Sequence, residues 1–126
     1  MNNYRSGLEE VVAKQLQVLK VPFQYETLKI FYNKPLKKSF YRPDFILPNG
    51  IIIEAKGLFP TADRKKHKLI REQHGNKYDI RFLFSNFNTL IGKKSKTTYA
   101  MWCKRFGFKF SNVDIPESWI NESKII

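Results

Sequence analysis

A short apolar hairpin with one carboxylate on each arm constrains the fold of this chain more than any other part of its sequence. Residues 42–47 and 51–56 have the composition of two strands, and Pro48, Asn49 and Gly50 lie between them. Pro suits the first central position of a type I turn, Asn the second, and Gly the left-handed position that follows in a three-residue loop. The sequence therefore predicts a tight antiparallel hairpin with a bulged loop.

This loop also sets the register of the two strands. Leu47 is placed opposite Ile51, and each further step adds a pair until Asp44 lies opposite Glu54. Directly opposed residues share one face of a sheet, with β-carbons about 5 Å apart. Strand alternation adds Lys56 to the face of Glu54. A two-residue Asn-Gly turn would shift the register by one and separate the two carboxylates, so the bulged loop is part of the hypothesis.

The two faces of the predicted hairpin differ in chemistry. One face is wholly apolar and must pack on a core; it consists of Phe45, Leu47, Ile51, Ile53 and Ala55. The other face carries Asp44, Glu54 and Lys56. Carboxylate oxygens hold a hard cation such as Mg²⁺, which can activate water against a phosphodiester while an ammonium offsets negative charge. A solvated edge hairpin is the alternative, but opposed like charges destabilise a sheet unless a cation lies between them.

Composition fits a partner that carries phosphates. The chain has 126 residues, a net charge of +12 and a pI of about 9.9, which indicates nucleic acid or an anionic surface. We see no apolar run long enough to span a bilayer and no signal peptide, so no membrane partner is expected. Cys103 is the only cysteine, which excludes an intrachain disulfide and favours a reducing cytoplasm. Its apolar neighbours predict that it is buried.

The order of predicted elements is that of an α/β domain. A first helix begins at Ser6 as N-cap, with Glu9 completing a capping box. The later elements are a strand over Phe23–Tyr32, a polar connector over Asn33–Lys38, the hairpin, a helix from a Thr61 cap to His74 stopped by Gly75, a strand over Asp79–Ser85, a helix from Thr97 or Thr98 to Gly107, a short strand over Phe108–Phe110, and a packed segment over Ile115–Ile120.

Two basic segments are candidates for phosphate contacts. The predicted second helix carries five cations within residues 63–71, and a loop carries Lys93, Lys94 and Lys96. A solvated charged face is the usual explanation for such a helix, but this one follows the Glu54 strand directly. Flexible cations suit backbone phosphates. The two histidines are expected to be surface helix residues, and a zinc site is not expected.

Glu9 has two interpretations that the sequence leaves open. It can complete the capping box, which is worth about 1 kcal/mol for the cap as a whole. It can also supply a further carboxylate near the cation of the hairpin, because it lies at the margin of the apolar stripe of its helix.

Motifs along nearly the whole chain match a known family in order and spacing. They are Arg5-Ser6-Gly7-Leu8-Glu9, Pro43-Asp44-Phe45, Leu47-Pro48-Asn49-Gly50, Glu54-Ala55-Lys56-Gly57-Leu58, Asp63-Arg64-Lys65-Lys66-His67, Leu69-Ile70-Arg71-Glu72-Gln73-His74, Asp79-Ile80-Arg81, Pro116 and Trp119-Ile120. The chain resembles endonuclease I of the bacteriophage T-seven type, which belongs to the PD-(D/E)xK nuclease superfamily and resolves four-way DNA junctions. The resemblance implies one nuclease domain over residues 1–126, with a restriction-endonuclease-like α/β core whose mixed central sheet is flanked by helices.

The same resemblance implies roles for the site residues. Asp44 and Glu54 would be metal ligands, with the backbone carbonyl of Ala55 assisting. Lys56 would be the catalytic lysine, and Glu9 an additional acid beside a second metal. The expected cofactor is Mg²⁺, one or two ions per site and about 4 Å apart if both bind, with Mn²⁺ as a substitute. This favours the functional interpretation of Glu9 over capping alone.

The resemblance further implies a homodimer with exchanged strands and active sites shared between chains. Glu9 would come from one chain, and Asp44, Glu54 and Lys56 from the other. A bridge near residues 32–40 would link the exchanged parts.

The resulting hypothesis is a structure-selective, metal-dependent endonuclease acting on branched DNA, especially four-way junctions, in the cytoplasm of an infected or lysogenic bacterium. A sequence-specific PD-(D/E)xK endonuclease and a non-catalytic junction-binding protein are the alternatives. The predicted DNA contacts are Arg5, Ser6, Arg64, Lys65, Lys66, His67, Lys68, Arg71, Lys93, Lys94 and Lys96.

Overall fold

A mixed sheet lies at the centre of the protein in the computed structural model, which describes residues 4–34, 37–75 and 77–123. Along the chain the elements are α1 (Gly7–Val18), β1 (Gln24–Tyr25), β2 (Ile30–Lys34), β3 (Lys37–Tyr41), β4 (Phe45–Ile46), β5 (Ile52–Lys56), α2 (Thr61–His74), β6 (Ile80–Phe84), α3 (Tyr99–Phe106), β7 (Phe110–Asn112) and α4 (Glu117–Asn121). None of these helices is long and apolar enough to cross a membrane.

The sheet has the strand order β1-β4-β5-β6-β7. Its first three strands pair antiparallel, whereas β5, β6 and β7 pair parallel. Strands β2 and β3 form a separate antiparallel pair. The predicted α/β class and mixed sheet flanked by helices are thus confirmed, while the strand-exchanged dimer stays a prediction.

The hairpin between β4 and β5 has the predicted register. Phe45 pairs with Ile53, and the Leu47 amide donates to the Ile51 carbonyl at 2.9 Å. Gly50 has a φ of +88°, the left-handed conformation that the bulged loop requires. Because β1 covers the outer edge of β4 and β6 pairs with β5, the hairpin lies inside the sheet. The edge-hairpin alternative is therefore excluded.

Apolar side chains are buried on both faces of the sheet. One core cluster lies under α2, α3 and the β2–β3 pair and includes Ile52, Phe82 and Trp102. The other lies under α1 and α4 and contains the whole apolar face predicted for the hairpin, together with Leu16 and Trp119. Every residue of β6 is buried, as expected for a parallel strand covered on both faces.

A buried cation ties the C-terminal segment to the sheet. Arg81 in β6 has its guanidinium 2.7 Å from carboxylate oxygens of both Asp79 and Glu122, and stacks on Trp119 at 5.4 Å. Burial alone would lower the pKa of Arg81, but the hydrogen bonds to the two carboxylates outweigh it and raise that pKa. The charge therefore stays paired inside the protein.

The prediction of one continuous strand over Phe23–Tyr32 is wrong. This segment is divided into β1 and β2 because Glu26 has a φ of +51°, which turns the chain out of the sheet. The predicted connector over Asn33–Lys38 is mostly strand, since β2 and β3 extend into it. The predicted bridge near 32–40 overlaps this pair, and its residues 35 and 36 lie outside the described part of the chain.

Two smaller boundaries also differ from prediction. Helix α2 begins at Thr61, so Pro60 and not Thr61 is its N-cap; the Thr61 hydroxyl instead accepts from Arg64 at 3.0 Å. The last strand starts at Phe110, because the Phe108 amide donates to the Cys103 carbonyl at 2.8 Å and closes the end of α3. Cys103 is buried as predicted, and burial raises the pKa of its thiol to about 12.

Candidate active site

The four residues predicted to carry the chemistry line one cavity at the end of the hairpin. Asp44 precedes β4, Glu54 and Lys56 belong to β5, and Glu9 reaches in from α1. The remaining lining comes from Arg5, Glu26, Phe40, Tyr41, Arg42, Ala55 and Lys66. Four carboxylates therefore meet several cations in one polar depression of a single chain.

Asp44 is held in place by the strand opposite. Only 8% of its surface is exposed, and its Oδ2 accepts a hydrogen bond from the Ala55 amide at 3.0 Å. Burial, followed by the charges of Glu54 and Glu9, raises the pKa of Asp44 from 3.8 to about 9. Since like charges and burial both disfavour the ionised carboxylate, the site has a deficit of positive charge that a cation would remedy.

Glu54 is the most enclosed of the four carboxylates. It is 4% exposed, and the buried hydroxyl of Tyr41 in β3 donates to it. Burial raises the pKa of Glu54, although Lys56 and the Tyr41 hydrogen bond act in the opposite direction. Tyr41 orients this carboxylate and was missed from the sequence. Tyr41 reaches the site only because β3 packs over α2 in the tertiary structure.

Lys56 lies between two acids. Its Nζ is 3.0 Å from Asp63 Oδ2 and 3.9 Å from Glu54 Oε1. Burial would lower the pKa of Lys56, but the charges of Glu54 and Asp63 outweigh it and raise that pKa. The Lys56 side chain is therefore held as a protonated cation in the cavity. Asp63, in the first turn of α2, was not predicted to have this role.

Glu9 lies in the first turn of α1 and lines the same cavity as Asp44 and Glu54. Its amide donates to the Ser6 hydroxyl at 3.1 Å, which confirms the helix cap. Its carboxylate is nearly buried, accepts a hydrogen bond from the Tyr25 hydroxyl, and raises the pKa of Asp44. Tyr25 is a second site residue that the sequence analysis missed. A role of Glu9 in a partner chain's site stays a prediction.

Lys66 supplies a second cation at the cavity. Its Nζ is 3.9 Å from Asp63 Oδ1 and 5.3 Å from the centre of the Tyr41 ring. Burial and the neighbouring charge of Lys56 lower the pKa of Lys66. The predicted phosphate contact at this residue therefore lies directly beside the carboxylates.

The other predicted DNA contacts fall into two groups, exposed side chains and side chains that have partners within the protein. Arg5, Ser6, Lys65, Lys93, Lys94 and Lys96 are exposed. Arg64 donates to the Phe59 carbonyl at 2.5 Å and Arg71 to the Gly107 carbonyl at 2.8 Å, so both have structural partners. Lys68 lies 4.5 Å from the centre of the Phe106 ring.

His67 does not belong to that set. It is fully buried against Tyr41, Phe59 and Phe82, and neither ring nitrogen has a hydrogen-bond partner. Burial, with the nearby charges of Lys66, lowers the pKa of His67 well below its usual value. The prediction of a surface residue contacting DNA is wrong, because this neutral ring is part of the core.

The donor set at the cavity fits a hard cation. Asp44 and Glu54 present carboxylate oxygens, which suit Mg²⁺ better than a softer metal. Within residues 4–34, 37–75 and 77–123, no group of three or more Asp, Glu, His or Cys side chains is arranged to hold a metal ion. Two carboxylates are nevertheless enough for Mg²⁺, which commonly keeps several water ligands and binds through one or two protein carboxylates.

The sequence matches known proteins along nearly its whole length. The model of the "Phage endonuclease I" family matches residues 1–126. The chain is 49% identical to "Endonuclease I" of Escherichia phage T7 over 121 residues, which cover 96% of this chain and 80% of that protein. It is 47% identical to "Endodeoxyribonuclease 1" of Enterobacteria phage T3 over 121 residues, or 96% of this chain and 79% of that protein. The chain belongs to the phage endonuclease I family.

Proposed function

We propose that this protein is a metal-dependent DNA endonuclease that resolves four-way and other branched junctions by paired phosphodiester hydrolysis. The names of its relatives in phages T7 and T3 support cleavage of DNA within a strand. The observation that carries the chemistry is the buried pair Asp44 and Glu54 with Lys56 beside it.

The carboxylates would hold the cofactor. Asp44, Glu54 and the carbonyl of Ala55 are the proposed ligands for Mg²⁺ or Mn²⁺, and Glu9 would serve a second ion. When bound, the metal would acidify a water and offset charge on the scissile phosphate. Tyr41 keeps the Glu54 carboxylate oriented toward the cavity. The Ala55 amide does the same for Asp44.

Lys56 would act on the phosphate by charge. Asp63 fixes its ammonium at 3.0 Å, so the cation is in place before the substrate arrives. A preorganised charge of this kind stabilises the developing negative charge without reorganisation at the moment of reaction. Lys66 adds a further positive charge at the same cavity.

Paired cleavage calls for two sites, and a two-fold homodimer is the simplest assembly that provides them. Glu9 is separated in sequence from the other site residues by the β2–β3 pair. If two chains exchanged the segment before this pair, Glu9 would lie beside the same residues of the cavity, but those residues would belong to the partner chain. A shared site is therefore compatible with the contacts of the single chain.

A comparison of substrates tests the proposal. Purified protein is incubated with a four-way junction and a matched linear duplex, in Mg²⁺ and in Ca²⁺. We expect paired nicks in the junction with Mg²⁺, little cutting of the duplex, and binding without cutting in Ca²⁺. Cleavage of the duplex at one sequence would favour the sequence-specific alternative. Junction binding without cleavage in any metal would favour a non-catalytic protein.

A further inference from the structure

Two aromatic side chains lie on the outer face of the β2–β3 pair. Phe31 and Phe40 are paired across the two strands, with ring centres 5.8 Å apart. They are 52% and 46% exposed, whereas their neighbours Ile30, Tyr32 and Tyr41 point inward and are buried. The pair is therefore an exposed aromatic surface on a strand pair whose other face is anchored in the core.

Cations surround both rings. Lys29 and Arg42 lie 5.0 and 5.8 Å from the centre of Phe40, and Lys38 lies 5.3 Å from the centre of Phe31. The sequence from 27 to 43 contains no Asp or Glu. An aromatic surface with a cation beside each ring is complementary to a nucleotide, which has a flat base and an anionic phosphate.

The aromatic pair is continuous with the candidate active site. Phe40 and Arg42 line the same cavity as Asp44 and Glu54. A base that rests on these rings would therefore belong to a nucleotide close to the bond that is cut.

We propose that Phe31 and Phe40 form a stacking surface for a DNA base exposed at a branch point, with Lys29, Lys38 and Arg42 contacting the adjoining phosphates. The inference rests on the proposed function and extends it, because a branch point is where base pairs lack a stacking neighbour. A continuous duplex offers no such free base face. The surface would thus add to affinity for branched DNA over linear DNA.

Two other roles for the pair make different predictions. A cross-strand aromatic pair can serve only to stabilise its own strands, which is worth about 0.2–1 kcal/mol. It can also contact a second copy of this chain. If the pair only stabilises its strands, its loss weakens binding to all DNA equally, because the fold is destabilised. If the pair contacts a second copy, its loss changes the oligomeric state.

The test compares wild-type protein with Phe31→Leu/Phe40→Leu, which keeps apolar side chains but removes the aromatic faces. Val18→Ala, at an exposed apolar residue of α1, is the matched control. Affinity is measured in EDTA for a four-way junction with 2-aminopurine at the branch, for a linear duplex, and for single-stranded oligothymidylate. Thermal melts and sedimentation establish folding and assembly.

Each stacked base is commonly worth a tenfold change in affinity or more. We expect the double variant to bind the junction and the single strand about tenfold more weakly, to quench 2-aminopurine less, and to bind duplex within about twofold of wild type. Equal losses on all DNA, no loss at all, or an altered sedimentation coefficient would each overturn the stacking role.

Cleavage by the same wild-type preparation separates this inference from the proposed function. If wild type cuts junctions in Mg²⁺ and the double variant binds them as tightly, the stacking surface is wrong and the function stands. If wild type treats junction and duplex alike, the proposed function fails. The single-strand measurement then still decides whether the rings stack on bases.

Discussion

Asp63 offers a sharp test of how the lysine of the site is positioned. Its carboxylate lies 3.0 Å from Lys56 Nζ, with 14% of the lysine side chain and 27% of the aspartate side chain exposed. A hydrogen bond between charged groups contributes about 1.5–3 kcal/mol, and the exposure of Asp63 places this one at the lower end. Asp63→Ala should therefore lower the rate of cleavage about tenfold, since 1.4 kcal/mol corresponds to a factor of ten.

The pH dependence distinguishes positioning from general damage. Burial lowers the pKa of Lys56, whereas Glu54 and Asp63 raise it, so removal of Asp63 must lower that pKa. The protonated lysine is then lost at a lower pH, and the alkaline limb of the pH–rate profile should move to lower pH. Single-turnover rates on a four-way junction across alkaline pH measure this shift.

Asp63→Asn and Asp114→Asn complete the experiment. Asp63→Asn keeps an oxygen near Lys56 but removes the charge, so it should still move the alkaline limb. Asp114 is exposed, and the same change there should alter neither rate nor profile. A tenfold slower Asp63→Ala enzyme with an unmoved alkaline limb would refute the reasoning, because the loss would then not act through the charge of Lys56.

Four further predictions concern the site, the DNA surface, the fold and the assembly. Asp44→Asn should reduce cleavage by several orders of magnitude yet raise the melting temperature of metal-free protein at pH 8, measured by calorimetry in EDTA. Lys65→Ala should make the log–log salt slope of junction binding shallower by about 0.9, in titrations against NaCl. Arg81→Ala should lower the free energy of unfolding in urea by about 2–5 kcal/mol, because it leaves a cavity where a fully buried side chain packs on Trp119. Glu9→Gln and Glu54→Gln proteins, inactive alone, should regain nicking of one strand when co-refolded if sites are shared; demonstrated heterodimers without nicking would refute sharing.

The hairpin could be predicted from sequence because its determinants are local. Turn residues between two short apolar strands set the register, and the register set which side chains share a face with Asp44. The confirmed pairing of Phe45 with Ile53 follows from that geometry alone. The candidate site residues within the hairpin could be predicted from the sequence for the same reason.

Residues contributed by other elements could not be derived in this way. Tyr25, Tyr41 and Asp63 reach the carboxylates through the packing of β1, β3 and α2, which no local pattern specifies. His67 was misassigned because it stands in a run of cations, and a helix with one narrow buried stripe hides a core residue among charged neighbours. Glu26 broke a strand that its aromatic neighbours favoured, since a single left-handed residue overrides strand propensity.

The electrostatics of the carboxylates predict that the proposed divalent ion would stabilise the protein. The pKa of Asp44 is raised from 3.8 to about 9, chiefly by burial and then by Glu54 and Glu9. Between these pH values the folded, metal-free protein binds a proton that the unfolded chain has released, so its stability falls as pH rises. A bound cation relieves the same repulsion, whereas Asp44→Asn removes it. We therefore expect the acidic cluster to lower the stability of the metal-free protein and to favour a bound divalent ion. A carboxylate that only maintained the fold would have a lowered pKa, and the protein would then become more stable as pH rises.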